Sequence, residues 1–451
     1  MKRNQCELIL AEARKWHNEN MIDADVLEKL EARYAPFMAS RTVSWRTVIL
    51  LSLGALLVGL GIILLLATNW DDLSRPFRTV IAFAPLFICV CIWLFGILKN
   101  KDSRAFQEPL GIFWTLSIGI GIAIISQTYQ ISGTADNFVL TWAILSLPVI
   151  YATLGVAPII GFFALLFSWV LICADRGTNS QLYWLMILLA FPAFRSIRHQ
   201  SPAGPRLAFS IWPAALISVA ALGFTLEKAM PGLWTVVYSG LFATLYLGGI
   251  MLEDREGSTW YAPMSTIGYC GQAVLLYLMS FIWPWEGIGR SYWRADRIDH
   301  IWQMFFDYTL TFVLPVAALL LLIFLCSKWH RRRKNSSRQT LLHLNQALWG
   351  ISPLIVATMY IVSAYFDKPT PASLGITGFL ILLSLLTLAT GLMLQKLRTI
   401  NAGVLILLAI IIGKFFSEEY SFTVRGIVFL ICGILFFTAN WIASRKLGKS
   451  K

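Results

Sequence analysis

Along the 451 residues, long apolar runs alternate with short polar connections, and helix needs roughly 20 apolar residues to cross a hydrocarbon core. After Arg46 this pattern predicts fourteen spans. They are Thr47–Thr68, Thr79–Leu98, Leu110–Ser126, Phe138–Thr153, Val156–Ala174, Gln181–Phe194 and Leu207–Leu226, then Gly232–Leu252, Met264–Trp283, Tyr308–Ser327, Ala347–Phe366, Ala372–Gln395, Ile400–Phe415 and Val424–Ala443. Phe138–Thr153 and Gln181–Phe194 are short, and each holds a proline, Pro148 and Pro192. Such spans also occur as re-entrant or broken helices where protein or water covers the freed backbone groups. Twelve crossings is therefore the rival count. The short alternating segments of a membrane barrel are absent. The fold class is all-α, a polytopic helical membrane protein.

Residues 1–46 are polar and read as a small helical hairpin, with the multi-span domain over 47–445 and a basic tail at 446–451. Leu8, Ile9, Ala13 and Trp16 form one helical stripe, and Asn18-Glu19-Asn20 breaks it. Asp23 is placed as an N-cap between Ile22 and Leu27 at staple spacing. Val26, Leu27, Leu30 and Tyr34 carry a second stripe to Pro36. With so much polar chain before the first apolar block, no signal peptide is read at the start. The hairpin suits an interfacial helix pair packed on the membrane domain, or a cytoplasmic docking element.

Two polar islands interrupt the early spans. Gln127-Thr128-Tyr129-Gln130-Ile131-Ser132-Gly133-Thr134-Ala135-Asp136-Asn137 separates two apolar runs, and Asn69-Trp70-Asp71-Asp72-Leu73-Ser74-Arg75 closes the first span. Were the third span to stay helical to about Ile131, Gln127 and Gln130 would share a face. Alternating topology puts both islands on one side of the membrane, with Glu418 and Glu419.

Composition supports this class. Soluble proteins carry roughly 45–50% apolar and about 25% charged residues; here the values are 57% and 14%. The formal charge of +13 does not call for nucleic acid, because the basic residues cluster in connections beside apolar blocks. With the N-terminus inside, 27 of the 37 Lys and Arg fall on the cytoplasmic side. That bias favours an even number of spans with both termini cytoplasmic. Lys328, Arg331, Arg332, Arg333 and Lys334 form a topogenic cluster suited to anionic lipid heads.

Candidate chemistry is sparse. The seven cysteines include no Cys-x-x-Cys, and the five histidines are scattered, so neither a disulfide framework, a metal site nor a cofactor is expected. Asn69, Asp71, Asp72, Gln127, Tyr129, Gln130 and Asp136 are candidate ligands for a polar headgroup or sugar, or else hydrogen-bonding glue between helices. Arg290, Arg294 and Arg297 lie among aromatics in the longest external loop. They fit the headgroup layer or a phosphate. Asp307 and Lys414 are the ionisable residues that reach into apolar blocks, the default functional candidates in a bilayer.

Gly61-Ile-Ile-Leu-Leu-Leu-Ala-Thr-Asn-Trp-Asp71, followed by Arg78, resembles the first signature of a bacterial family of membrane proteins, the domain of unknown function numbered twenty-one fifty-seven. Gln127-x-Tyr129-Gln130-x-Ser132-Gly133, with Trp142-Ala143 and Leu147-Pro148, is similar to its second. The resemblance covers about the first third of the chain, with the signature region at 47–155. It implies a bacterial inner-membrane protein and supplies no catalytic residues.

Three functional classes follow. The leading one is a transporter or flippase-like protein handling a polar or amphiphilic envelope solute. The second is a membrane-embedded transferase acting on a lipid-linked sugar, with Arg290, Arg294 and Arg297 on the phosphates and Asp136 or Asp307 as base. The third is a structural or sensory membrane protein. A central water-filled cavity open to one side favours the first, a groove open to lipid beneath the Arg290–Arg297 loop favours the second, and polar islands hydrogen-bonded to each other with neither present favour the third.

Overall fold

Backbone amides in hydrocarbon must be satisfied within their own segment, which leaves helix as the answer for apolar runs of this length. In the computed structural model the chain is described over residues 3–19, 21–39, 45–68, 74–99, 104–200, 204–226, 232–252, 259–286, 288, 301–331, 337–417 and seven positions between 423 and 437. Among these residues every long element is an α-helix: α1 Arg3–Asn18, α2 Ala24–Ala39, α3 Trp45–Thr68, α4 Arg75–Leu98, α5 Arg104–Tyr129, α6 Ala135–Thr153, α7 Val156–Arg176 and α8 Leu182–Gln200. The second half holds α9 Pro205–Thr225, α10 Leu233–Leu252, α11 Pro263–Met279, the short α12 Trp283–Glu286, α13 Ile301–Arg331, α14 Ser337–Phe366, α15 Pro369–Leu394 and α16 Leu397–Ser417.

Ten of these are long and apolar enough to cross a membrane, and each coincides with an expected span. The other four expected spans differ for separate reasons. Gln181–Phe194 lies in α8, which runs on through Arg195 and Arg198 to Gln200 and is not among the ten. Met264–Trp283 becomes the 17-residue α11. It stops at Ser280, where Trp285 of α12 folds back and donates Nε1 to the Met279 carbonyl at 2.6 Å. Within α3 the apolar stretch described is Ile49–Gly61, and Val424–Ala443 lies mostly outside the described residues. Phe138–Thr153, by contrast, is an unbroken helix despite Pro148.

The outward faces confirm the solvent. Phe87 is 70% exposed, Phe312 67% and Leu320 62%. Apolar surface so extensive belongs in lipid, since a protein in water rarely shows contiguous apolar patches beyond a few hundred Å². Inside the helices the hydroxyls are satisfied locally. Thr115, Ser117, Thr128, Ser146 and Thr153 each donate to the carbonyl one turn back, at 2.7–2.9 Å.

The chain forms two compact units, Met1–Phe162 and Phe163–Lys451, divided within α7. In the first, α1 and α2 pair around Leu10 and Ala13, tied by Arg14 to Glu31 at 2.8 Å and by His17 Nδ1 against the Ile22 carbonyl at 3.0 Å. The second helix starts directly after Asp23, whose carbonyl accepts from Leu27, and it continues past Pro36 to Ala39. The organising helix of this unit is α5, which packs against α3, α4 and α6. Its contact with α6 is set by Gly119, where an added Cβ would lie 2.5 Å from the Trp142 ring. Trp142 Nε1 then reaches the Thr115 carbonyl at 2.7 Å.

The second unit is built on α10, α11, α13, α14 and α15, with Trp285 and Trp349 fully buried among them. At Gly268 of α11 an added Cβ would stand 2.4 Å from the Tyr246 amide nitrogen and 2.6 Å from the Phe242 carbonyl. Backbone meets backbone there. This is the small-residue contact on which helices associate when lipid offers no hydrophobic drive.

Candidate functional site

The island at residues 127–137 is the turn between α5 and α6. The fifth helix ends at Tyr129, and Gln130 takes the left-handed conformation with φ 54°. Ile131 N–H donates to the Ser126 carbonyl at 3.0 Å, the longer bond of a Schellman closure. The Ser126 hydroxyl returns to the Ile131 carbonyl at 3.0 Å. Because the helix ends at Tyr129 and Gln130 is left-handed, Gln127 and Gln130 do not share a helical face. Both side chains are exposed. Tyr129 is exposed too, and its hydroxyl pairs with Thr79 Oγ1 of α4 at 3.0 Å. Asp136 sits in the first turn of α6, where a carboxylate faces the positive end of the helix dipole.

Several candidate residues fall elsewhere. Asn69, Asp71, Asp72, Glu418, Glu419, Arg290, Arg294, Arg297, Arg332, Arg333 and Lys334 lie outside the described residues. Asp307 stands in the second turn of α13, and only its backbone is described. Lys328 is half-buried and Arg331 exposed in the last turn of α13. Lys414 is half-buried near the end of α16, 3.4 Å from Ser373 Oγ and 5.6 Å from the Phe281 ring centroid. Among the described residues, no group of three His, Cys, Asp or Glu is placed to hold a metal ion.

One carboxylate escaped the sequence reading. Glu108, in the first turns of α5, is 5% exposed. Its Oε1 accepts from Val156 N–H and its Oε2 from Ala157 N–H, both at 2.8 Å. The first amides of a helix have no intrahelical partner, so Glu108 caps α7 from a different helix. The turn it serves is made by Leu154 in the left-handed conformation, φ 46°. Its place beside the Arg104 end of an apolar block disguised it as an ordinary flanking charge.

In the second unit a cavity of about 820 Å³ lies along α8, within the roughly 300–1,000 Å³ range of small-molecule sites. The eighth helix contributes Trp184, Ile187, Phe191 and Phe194, then Arg195, Arg198 and His199. Opposite them α9 turns the face of Leu207, Ile211, Ala214, Ala215 and Ser218, and α10 adds Leu241 and Leu245. Small side chains at the middle of the α9 face leave the space unfilled. At one end, Tyr183 pairs with Ser218 at 3.1 Å and Trp184 Nε1 reaches Thr225 Oγ1 at 3.3 Å. At the other, the buried Arg206 of α9 donates to Gln200 Oε1 at 3.1 Å. The eighth helix is thus tied to α9 at both ends, with the cavity between. In the sequence Arg195 and Arg198 count only among the 27 Lys and Arg that the alternating topology puts on the cytoplasmic side. The missed signal was the small-residue face of α9 opposite an aromatic face of α8.

Residues 14–160 match the family described as Predicted membrane protein (DUF2157). The match runs from α1 to the first turn of α7 and holds both signature blocks, so the resemblance read from them stands over the first third of the chain. No curated protein and no solved structure matches the chain.

Proposed function

We propose that this integral membrane protein is transporter- or flippase-like and takes an amphiphilic envelope solute into the cavity along α8. The observation that carries the reading is the cavity itself: apolar over most of its wall, basic at one end, and walled by α8 together with α9 and α10, two of the helices long and apolar enough to cross a membrane. From Trp184 to His199 it follows about 22 Å of helix at 1.5 Å per residue, more than one leaflet of a roughly 30 Å hydrocarbon core. The transferase alternative rests on Arg290, Arg294 and Arg297 and gains no support from the described residues.

The proposal places the protein in a bacterial inner membrane with both termini cytoplasmic. Its support is that Arg195 and Arg198 end α8, Lys328 and Arg331 end α13, Arg206, Arg338 and Arg398 open α9, α14 and α16, and Lys396 lies between α15 and α16, connections that alternating spans put on one side. For the first unit taken by itself, the exposed Gln127, Tyr129 and Gln130 with Asp136 are proposed as ligands for a polar headgroup or sugar; Asn69, Asp71 and Asp72, proposed with them from the sequence, lie outside the described residues.

The test is leaflet exchange of a fluorescent phospholipid in proteoliposomes, read by quenching of the outer leaflet. Wild-type protein is expected to accelerate exchange over protein-free vesicles. Ala215→Trp, which fills the cavity, is expected to bring the rate back to background while the protein stays monodisperse. No acceleration by wild type, or full acceleration by Ala215→Trp, overturns the proposal.

A further inference from the structure

The charged and titratable residues that line the cavity are Arg195, Arg198 and His199, and they fall together on the last turns of α8. Positions three and four apart share a helix face, so Arg195 shares one with Arg198 and with His199, and all three line the cavity from the C-terminal end of α8. Among the described residues, no acidic side chain lines the cavity. Away from that mouth the α8 wall is Trp184, Ile187, Phe191 and Phe194, which offers contact for hydrocarbon and one indole N–H already spent on Thr225. Arginine is the side chain best matched to phosphate and carboxylate, because its planar fork donates two parallel hydrogen bonds. A long side chain at a helix end also keeps its charge at headgroup depth while its stem lies along apolar surface.

From this charge pattern we infer that the occupant is a lipid-like amphiphile with an anionic phosphate headgroup, its chain along α8 and its phosphate between Arg195 and Arg198. The inference rests on the cavity reading above and adds the headgroup to it. Basic residues at a helix end also complement the helix dipole and mark the cytoplasmic side. Those roles need no ligand, and they ask for no discrimination between phosphate lipids of different net charge.

The experiment uses the full chain purified in detergent and exposed to equimolar phosphatidylglycerol and phosphatidylcholine of identical chains, with retained lipid counted by native mass spectrometry. Wild type is expected to retain one phosphatidylglycerol in preference to phosphatidylcholine. Arg195→Gln/Arg198→Gln is expected to lose that preference by about tenfold or more, the scale of one charge-assisted contact. Lys396→Gln/Arg398→Gln, which removes exposed basic charge where α15 gives way to α16, is expected to keep it. Ala215→Trp is expected to lose retention of both lipids. An unchanged preference in Arg195→Gln/Arg198→Gln overturns the headgroup inference while loss of retention in Ala215→Trp still upholds the cavity. Unchanged retention in Ala215→Trp removes the cavity reading and this inference with it. Equal loss in the Lys396→Gln/Arg398→Gln control reduces the preference to general surface charge and also overturns the inference.

Discussion

Replacing Glu108 tests the interhelix cap most directly. The carboxylate accepts two backbone N–H groups at 2.8 Å in a site only 5% exposed. Hydrogen bonds to charged groups are worth about 1.5–3 kcal/mol each. Both bonds go in Glu108→Ala, which leaves two amides buried without a partner; the expected cost, allowing for incomplete additivity, is about 3–4 kcal/mol. Glu108→Gln keeps one acceptor oxygen and turns an NH₂ toward the other amide, so about 1.5–3 kcal/mol should be lost. Glu12→Ala, at an exposed position of α1, should stay within about 0.5 kcal/mol. The assay is reversible unfolding in mixed micelles under a rising fraction of denaturing surfactant, followed by circular dichroism. The reasoning is refuted if Glu108→Ala costs no more than Glu12→Ala, or if Glu108→Gln costs more than Glu108→Ala.

Other outcomes follow from contacts described above. Gly268→Ala must push α10 and α11 apart, since its methyl would meet the Tyr246 nitrogen at 2.4 Å; a loss of about 1–3 kcal/mol is expected in the same unfolding assay. Substituting Gln127 and Gln130 together by Leu should leave stability within about 0.5 kcal/mol and abolish exchange of labelled lipid. A large loss of folded protein would instead make these glutamines structural.

How much was legible depends on how local the cause was. The ten spans follow from length and apolarity alone, so each was readable from its own segment. The end of α5 was not, because the left-handed residue is Gln130 rather than nearby Gly133; the chain closes the helix through Ser126 and Ile131 without the residue that ordinarily announces such a stop. Met264–Trp283 reads as one span, yet Trp285 bends the chain back onto Met279, and no periodicity within the apolar run foretells that fold. Glu108 is harder still, with its partners 48 and 49 residues away. The cavity needs three helices at once: its aromatic and small-residue faces are visible on α8 and α9, but that they oppose each other is a property of the packed bundle.

The spacing of that glutamate from its partners has a consequence for biogenesis. Synthesis at roughly 5–20 residues per second puts about 2–10 s between the appearance of Glu108 and that of Val156. For that interval α5 carries a carboxylate whose final partners do not yet exist, so it must be kept wet at the membrane surface or held by the insertion machinery. Arrival of the first turn of α7 supplies both amides and completes the first unit in one step, at nearly the residue where the family match ends. That segment is therefore a self-locking module: a chain cut at Thr153 would retain every earlier helix and lack the latch.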